Sequence, residues 1–281
     1  MKFILPLFVI VIWAMTHGNA SAQAPDLCVL VNGVLTNNQL DGGKGCTILP
    51  DSYTITIFEM GFCRSTITPP TTTAAAVYNN CHTIFTSPGG TVVEVKSGVA
   101  TSLPATSASK PPNGVYITGY AVLALGFQIK TVLTFDTATA GDVGNGTICW
   151  TLTKQISSQS NTAPRAQCAN AAPDPGNVGT LTDLMDDFGT NNFSSSSTAA
   201  YGLISAYIIK SNGFLLGAGE HAQADKLLGI QAMTNSVTVT NDTSIINMGI
   251  ETSKGSSVVF SATDVLRNFG SGPFSVDLTA Q

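Results

Sequence analysis

Two stretches decide the fold class: residues 53–58 read YTITIF, and residues 83–95 read TIFTSPGGTVVEV. In the first, tyrosine and isoleucine alternate with threonine and phenylalanine, which is the period of a strand with one buried face. In the second, two runs rich in strand-forming residues flank Ser87-Pro88-Gly89-Gly90. Proline and glycine supply turn dihedrals, so this stretch predicts a β-hairpin.

The same strand signals recur along the rest of the chain, at short intervals and without a regular alternation of strands and helices. This arrangement predicts a mainly β protein with an antiparallel β-sandwich-like architecture, one short helix and stabilisation by disulfides. Residues 220–228 fit a helix or a strand equally. Further strands are predicted over residues 27–35, 115–135 (two adjoining buried strands), 147–154, 201–209, 214–216, 237–239, 245–250, 258–260 and 274–278.

The one predicted helix covers residues 181–188. Its apolar residues recur at spacings of three and four, Thr180 is a suitable N-cap, and Gly189 is a suitable stop. A helix this short is stable only when it packs against the rest of the protein.

The first 22 residues have the pattern of an export signal. Lys2 gives a positive start, residues 3–15 form a short apolar run, and Ala20-Ser21-Ala22 is a small-residue cleavage site. An uncleaved anchor is the alternative, but the run is shorter than the roughly 20 residues of a spanning helix. We expect cleavage after Ala22 and a secreted or cell-surface protein, with the periplasm as a further possibility.

Six cysteines follow the expected cleavage site, and an even number in an exported chain predicts disulfides. Sequence alone leaves 15 connectivities open. Pairing of neighbours is favoured because each pair closes a loop of similar length: Cys28–Cys46, Cys63–Cys81 and Cys149–Cys168. A zinc site is disfavoured because the chain has no C-x-x-C pair, and we expect neither a metal nor another cofactor.

The domain organisation follows from composition. Residues 23–100 form an N-terminal β unit containing disulfides, residues 101–114 a linker or loop rich in proline, serine and alanine, and residues 115–281 a C-terminal β unit. A single domain that includes both units remains open. The apolar run at 115–135 contains glycines, and its uncharged part ends at Lys130. Both features favour strands over a membrane helix.

The charge content is the most unusual property of the composition. Of the 281 residues, 43% are hydrophobic and only 10% are charged, with a net charge of −5. A typical soluble domain has about a quarter charged residues. With no basic cluster, the chain is not expected to bind nucleic acid or an anionic membrane surface.

Catalytic candidates are few. His82 follows Cys81, which a disulfide would prevent from acting as a thiolate partner. In a helical stretch, His221 and Asp225 would share a face as a base and its orienting carboxylate. Neither a second nearby histidine nor a G-x-S-x-G motif accompanies them, so no catalytic residue is assigned and we do not expect an enzyme. Trp150 beside Cys149 is expected to pack against a disulfide.

Three other groups have ordinary structural explanations. Asp183, Asp186 and Asp187 lack the spacing of a calcium loop. The glycine-rich stretches at 41–45 and 141–146 lack the context of a phosphate-binding loop and are expected to be turns. Three sites match the N-glycosylation pattern, which has meaning only in a eukaryotic secretory pathway: Asn145, Asn192 and Asn241.

Few charged residues interrupt the predicted strands, and exposed strand edges of this type pair with other chains. We therefore predict an extracellular structural or adhesive protein, a coat or filament subunit that forms a homo-oligomer through residues 27–35 and 274–278. An ordinary monomer is the alternative arrangement. A second hypothesis is a secreted module that binds an extracellular ligand such as a glycan through surface tyrosines, and a third is a secreted hydrolase using His221 and Asp225. The tyrosines of the second hypothesis are Tyr116, Tyr120, Tyr201 and Tyr207.

Overall fold

The computed structural model describes residues 26–40, 44–95, 109–157, 165–189, 191–199, 202–243, 246–252, 254–260, 265–271 and 275–280. The expected signal segment lies outside these residues, as does most of the predicted linker. Strands dominate the described chain, and no α-helix occurs within it. Short 3-10 turns lie at Asn37–Gln39, Pro175–Asn177 and His221–Gln223.

The strands within these ranges, numbered in chain order, are β1 (Leu30–Val31), β2 (Val34–Leu35), β3 (Gly45–Ile48), β4 (Ser52–Cys63), β5 (Cys81–Val95), β6 (Gly114–Ala124), β7 (Gly126–Lys130), β8 (Val132–Gly141), β9 (Asn145–Thr151), β10 (Lys154–Ser157), β11 (Ala166–Ala169), β12 (Leu181–Leu184), β13 (Ser194–Ala199), β14 (Gly202–Ile209), β15 (Lys226–Val239), β16 (Ile246–Glu251), β17 (Ser256–Phe260), β18 (Val265–Ser271) and β19 (Ser275–Ala280).

Two large sheets and one ribbon contain these strands. Sheet I has eight strands, with the path β1-β2-β8-β18-β17-β3 and with β9 and β11 joined beside β8. Sheet II has nine, with the path β10-β12-β7-β4-β6-β15-β14-β13 and with β5 beside β4. Strands β16 and β19 form an antiparallel ribbon. The mainly β, disulfide-stabilised fold class predicted from the sequence is confirmed.

Most strand pairs are antiparallel, with three parallel exceptions: β2 with β8, β18 with β8, and β10 with β12. Residues on both sides of the 101–114 segment form neighbouring strands in both sheets. In sheet II, for example, β4 pairs with β6 and β7. None of the described helical segments is long and apolar enough to cross a membrane.

Strand β4 is the centre of sheet II. The alternation visible in residues 53–58 buries Tyr53, Ile55 and Ile57, and each is at most 3% exposed. Strand β5 lies along one edge of β4, while β7 and β6 follow one another along the other edge, from Ser52 opposite Lys130 to Cys63 opposite Thr118. The central strand therefore contacts three others over its length.

The predicted hairpin at residues 83–95 is wrong. These residues belong to the single strand β5, and both halves of it pair with β4. Thr91 lies opposite Ile57 and Thr86 opposite Glu59, so the four residues from Ser87 to Gly90 form a large bulge across from one residue of β4. The turn-forming residues interrupt the ladder but do not reverse the chain, because β4 offers backbone partners on both sides of the bulge.

The predicted helix at residues 181–188 is also wrong. Residues Leu181–Leu184 form β12, which pairs with β7 on one edge and β10 on the other. An isolated two-turn helix has little stability of its own, whereas a strand in this position makes backbone hydrogen bonds on both edges. Leu181 is completely buried in the strand.

Residues 115–135 form parts of three strands, where the sequence predicted two. Strands β6 and β7 are separated by Leu125 and lie in sheet II, and β8 begins after Thr131 and lies in sheet I. The chain therefore passes from one sheet to the other at Thr131, within this mostly apolar stretch. Tyr116, Leu123, Phe127, Ile129, Leu133 and Phe135 from this stretch are buried.

One hydrophobic core is formed mainly by sheet II, and its strand residues include Tyr53, Phe85 and Phe127. A second core contains residues of both sheets, among them Phe269 of β18 and Leu181 of β12. This second core joins the two layers.

Three disulfides link Cys28 to Cys46, Cys63 to Cys81 and Cys149 to Cys168, and none of the described cysteines is free. The neighbouring pairing predicted from the sequence is the observed one. Two of the bridges join residues directly opposite each other on paired strands, Cys63 and Cys81 on β4 and β5, and Cys149 and Cys168 on β9 and β11.

Candidate functional site

The N-terminal hairpin, defined here as residues 27–35, has the largest group of exposed apolar side chains close together in sequence among the described residues. Asn32 and Gly33 have φ angles of 52° and 79°, as a two-residue hairpin turn between β1 and β2 requires. Leu27, Val29, Leu30 and Val31 are 50%, 63%, 45% and 59% exposed. The hairpin contains no charged residue.

This hairpin is firmly attached to the protein despite its exposure. The Gln39 side chain accepts a hydrogen bond from the Val29 amide and donates one to the Val29 carbonyl, both at 2.8 Å, as a neighbouring strand would. The Cys28 amide donates to the Thr47 carbonyl at 2.8 Å, and Cys28 is bonded to Cys46. The apolar side chains are therefore held in a fixed position facing solvent.

The first arm of the hairpin is a sheet edge only in part. Leu27 forms a parallel bridge with Thr47 of β3, and the Cys28 amide donates to the Thr47 carbonyl. The two residues of β1 beyond this bridge pair with β2 and with no other described strand. Sheet II ends in a different kind of edge at β13, whose sequence SSSSTA is polar and which pairs with β14 alone among the described strands. The other predicted edge segment, 274–278, lies partly outside the described residues, and its described part belongs to β19.

His221 does not contact Asp225 as the sequence suggested. Its Nε2 lies 3.8 Å from Asp187 Oδ2 and 3.3 Å from Asn191 Oδ1, while Phe193 packs edge-on against the imidazole at 5.0 Å. Asp225 instead pairs with the neighbouring Lys226. The i, i+4 geometry is lost because residues 221–223 form a 3-10 turn and β15 begins at Lys226. His221 therefore links two loops of sheet II.

His82 lies on β5 beside the exposed Ser109. Ser109 Oγ is 3.2 Å from His82 Nε2 and donates a hydrogen bond to the Thr83 carbonyl at 2.9 Å. A nucleophilic serine would donate its proton to the histidine. Here that proton is directed to a carbonyl, so the pair is not arranged for activation of the hydroxyl.

Two of the three aspartates expected on one helix lie in different places, while Asp186 remains close enough to Asp183 to act on it electrostatically. Asp187 accepts hydrogen bonds from the Gly189 and Asn191 amides in a loop. Asp183 lies on β12 and accepts a hydrogen bond from the Ser271 amide at 2.6 Å, which joins sheet II to sheet I. The Ser271 hydroxyl is also 2.8 Å from the Tyr53 hydroxyl. No group of three potential metal ligands occurs among the described side chains.

Burial raises the pKa of Asp183 above its ordinary value of 3.8; the Ser271 amide and Arg165 oppose this shift, and Asp186 adds to it. The folded chain therefore holds this proton more tightly than the unfolded chain. The carboxyl contributes most to stability below pH 3.8, and that contribution is lost as the pH rises through the raised pKa.

We expect the stability of Asp183→Asn relative to the native chain to increase as the pH rises from 3.8 through the raised pKa of Asp183, because an amide acquires no charge. Thermal unfolding of both proteins between pH 3 and pH 8 measures the difference. The exposed Asp174→Asn is the matched control and is expected to show no such trend. A difference between the Asp183 variant and the native chain that is the same in acid and at neutral pH would contradict the prediction.

The other motifs lie in turns only in part. Residues 142–144 connect β8 to β9, whereas Gly141 ends β8 and Asn145 begins β9. The Asp142 carboxylate accepts a hydrogen bond from the Arg165 amide at 2.7 Å. Residues 41–43 of the other glycine-rich stretch lie outside the described residues. Each asparagine of the three glycosylation patterns is exposed, and Asn241 accepts a hydrogen bond from Asn113.

The tyrosines named for ligand binding differ in accessibility. Tyr116 and Tyr120 are 1% and 6% exposed, Tyr207 is partly buried, and Tyr201 lies outside the described residues. Tyr78, which the sequence did not single out, is 39% exposed. Trp150 is buried as predicted, but the alternation of side chains along β9 places it on the face opposite Cys149.

Comparison of the chain with protein-family models, with curated proteins and with solved structures finds no match.

Proposed function

We propose that this chain is an exported structural or adhesive protein that associates with further copies of itself through the N-terminal hairpin. The observation that carries the proposal is an anchored strand edge whose apolar side chains face solvent. Natural monomeric proteins usually protect such an edge by keeping its strand very short, as β1 is, or with a charge, a proline or a covering segment. The residues from Leu27 to Leu35 supply neither a charge nor a proline.

The way in which the hairpin is held supports this function. Docking of a flexible tail would lose conformational entropy, whereas Gln39 and the Cys28–Cys46 bridge have already fixed this edge. A second copy can add hydrogen bonds to β1 and bury Leu30 and Val31 without that loss. Three disulfides are compatible with the oxidising environment outside the cytosol, where such a protein would assemble.

Val31→Lys is expected to weaken self-association. The lysine would place an ammonium group in the contact, and burying a charge without a partner is unfavourable enough to raise the dissociation constant by about tenfold or more. Light scattering coupled to size-exclusion chromatography of residues 23–281, over a range of protein concentrations, measures the change. Negative-stain microscopy shows whether the assemblies are extended.

The matched control is Leu203→Lys, because Leu203 is 47% exposed but belongs to β14, which has a neighbour on each side. It adds the same charge away from the hairpin and is expected to leave association unchanged. A native chain that remains monomeric at high concentration, or equal effects of the two substitutions, would rule out assembly through the hairpin.

A further inference from the structure

A polar and aromatic cluster lies on sheet II, away from the N-terminal hairpin. It consists of Glu59 on β4, Thr83 on β5, Tyr120 on β6 and Tyr78 in the segment between β4 and β5, and we call it the Glu59 cluster. Gly61 makes this arrangement possible. A Cβ atom at position 61 would lie 2.4 Å from the Tyr120 ring, so only glycine lets that ring lie across β4.

Hydrogen bonds in the cluster converge on one carboxylate oxygen. The Tyr120 hydroxyl donates to Glu59 Oε1 at 2.7 Å, and Thr83 Oγ1 donates to the same oxygen at 3.3 Å. The two hydroxyls are 2.8 Å apart. These contacts fix the orientation of the carboxylate, whereas its second oxygen, Oε2, accepts no hydrogen bond from the described residues.

The charge of Glu59 has no counterion in the described part of the chain. Lys210 pairs with Glu220 and Lys226 with Asp225, and neither pair includes Glu59. Glu59 is partly buried, which makes an uncompensated charge less favourable than at an open surface. Burial, and secondarily the charge of Glu59, raises the pKa of Tyr78 to about 12.

An open aromatic surface adjoins this carboxylate. The Tyr78 ring packs against Tyr120 with 4.7 Å between centroids, yet 39% of Tyr78 remains exposed, and the neighbouring Val77 is 45% exposed. An aromatic face attracts a cation, and a carboxylate with a free oxygen accepts a hydrogen bond from an ammonium group. A neutral ligand could contact the ring but would leave the charge uncompensated.

We propose that the Glu59 cluster binds a primary ammonium group on an apolar chain, with the ammonium at Glu59 Oε2 and the chain against Tyr78. A free alkylamine and a lysine side chain present the same chemistry. This site is separate from the hairpin and does not depend on self-association.

The test is titration of residues 23–281 with butylammonium chloride at low ionic strength, followed through the NMR signals of the tyrosine rings. The expected result is a saturable shift of the Tyr78 and Tyr120 signals. Glu59→Gln keeps an acceptor for Tyr120 but removes the charge, and it is expected to weaken binding about tenfold. The matched control, Glu94→Gln on the neighbouring β5, removes an exposed carboxylate and is expected to leave binding unchanged.

Further ligands and variants identify which chemical groups are needed for binding. Butanol is expected to give no saturable shift, and Tyr78→Ala is expected to weaken binding of butylammonium while Tyr78→Phe retains it. Nα-acetyl-lysine amide keeps its side-chain ammonium group and is compared with butylammonium. Tighter binding of the lysine derivative would indicate a lysine side chain as the source of the ammonium group, and weaker binding would indicate a free amine. Equal binding of butanol, an unaffected Glu59→Gln variant or the absence of saturation would overturn the proposal.

Discussion

Replacing Cys149 and Cys168 together by alanine is expected to lower the free energy of unfolding by about 3 kcal/mol or more. The bridge closes a loop with a sequence separation of 19, and the chain-entropy model assigns about 3 kcal/mol to a loop of this length. Both cysteines are also almost fully buried, at 0% and 2% exposure, in the core that joins the two sheets. Urea unfolding without reductant measures the loss.

The double variant Cys63→Ala and Cys81→Ala is the matched control. Its loop has nearly the same separation, 18, and its cysteines also lie opposite each other on paired strands, but Cys81 is only partly buried. The entropic effect should therefore be similar and the packing effect smaller. A loss at Cys149–Cys168 no greater than that at Cys63–Cys81 would mean that burial of the bridge adds nothing.

Phe127→Ala is expected to lower the free energy of unfolding by about 3 to 5 kcal/mol, as is typical of a fully buried phenylalanine. Phe127 is 1% exposed on β7, and its ring lies 6.0 Å from that of Tyr53 on the adjacent β4. Removal of the ring leaves a cavity in the core of sheet II, which the surrounding strands can fill only in part. Denaturant unfolding of the folded variant gives the value.

Phe58→Ala removes the same side chain at a partly exposed position, where Lys226 Nζ lies 4.9 Å from the ring centroid. A smaller loss of stability is expected, because a partly exposed ring buries less apolar surface and its removal leaves a smaller cavity. If the two alanine variants lose equal stability, the assignment of Phe127 to the centre of the core is incorrect.

Local patterns in the sequence predicted those parts of the fold that depend on local physics. The alternation at residues 53–58 identified the central strand, because a strand with one buried face needs that period. The similar lengths of the loops between neighbouring cysteines favoured the pairing that is observed. The Asn32-Gly33 turn was missed, because residues 27–35 were predicted as one strand, although both residues accept the positive φ angles that a tight hairpin requires.

The same local patterns did not indicate which strands, distant in sequence, would pair with each other. Ser87-Pro88-Gly89-Gly90 has the composition of a hairpin turn, and only the presence of β4 beside both flanking halves makes it a bulge. Leu181 and Leu184 fit one face of a helix, but β7 and β10 provide a place for an additional strand. In both cases tertiary hydrogen bonding prevailed over local preference.

The two candidate sites also differ in how far they could be predicted from the sequence. Residues 27–35 could be singled out from the sequence, because an uncharged, β-branched run is itself the signal of an exposed strand edge, but they were predicted as one strand and form a hairpin. The Glu59 cluster could not, since Glu59 and Tyr120 are 61 residues apart and meet only across paired strands. The nearest sequence signal is Gly61, a strand glycine that indicates close approach of another group.

The path of sheet I has a consequence for how a growing polypeptide acquires its structure. Strand β3, near the beginning of the chain, pairs with β17, and β8 pairs with β18, both of which are made near the end of synthesis. Until those residues leave the ribosome, β3 lacks β17 and the end of β8 lacks β18, so backbone groups and apolar side chains of these strands are exposed. We therefore expect the newly made chain to need chaperone protection most at β3 and at the end of β8, until β17 and β18 have been made.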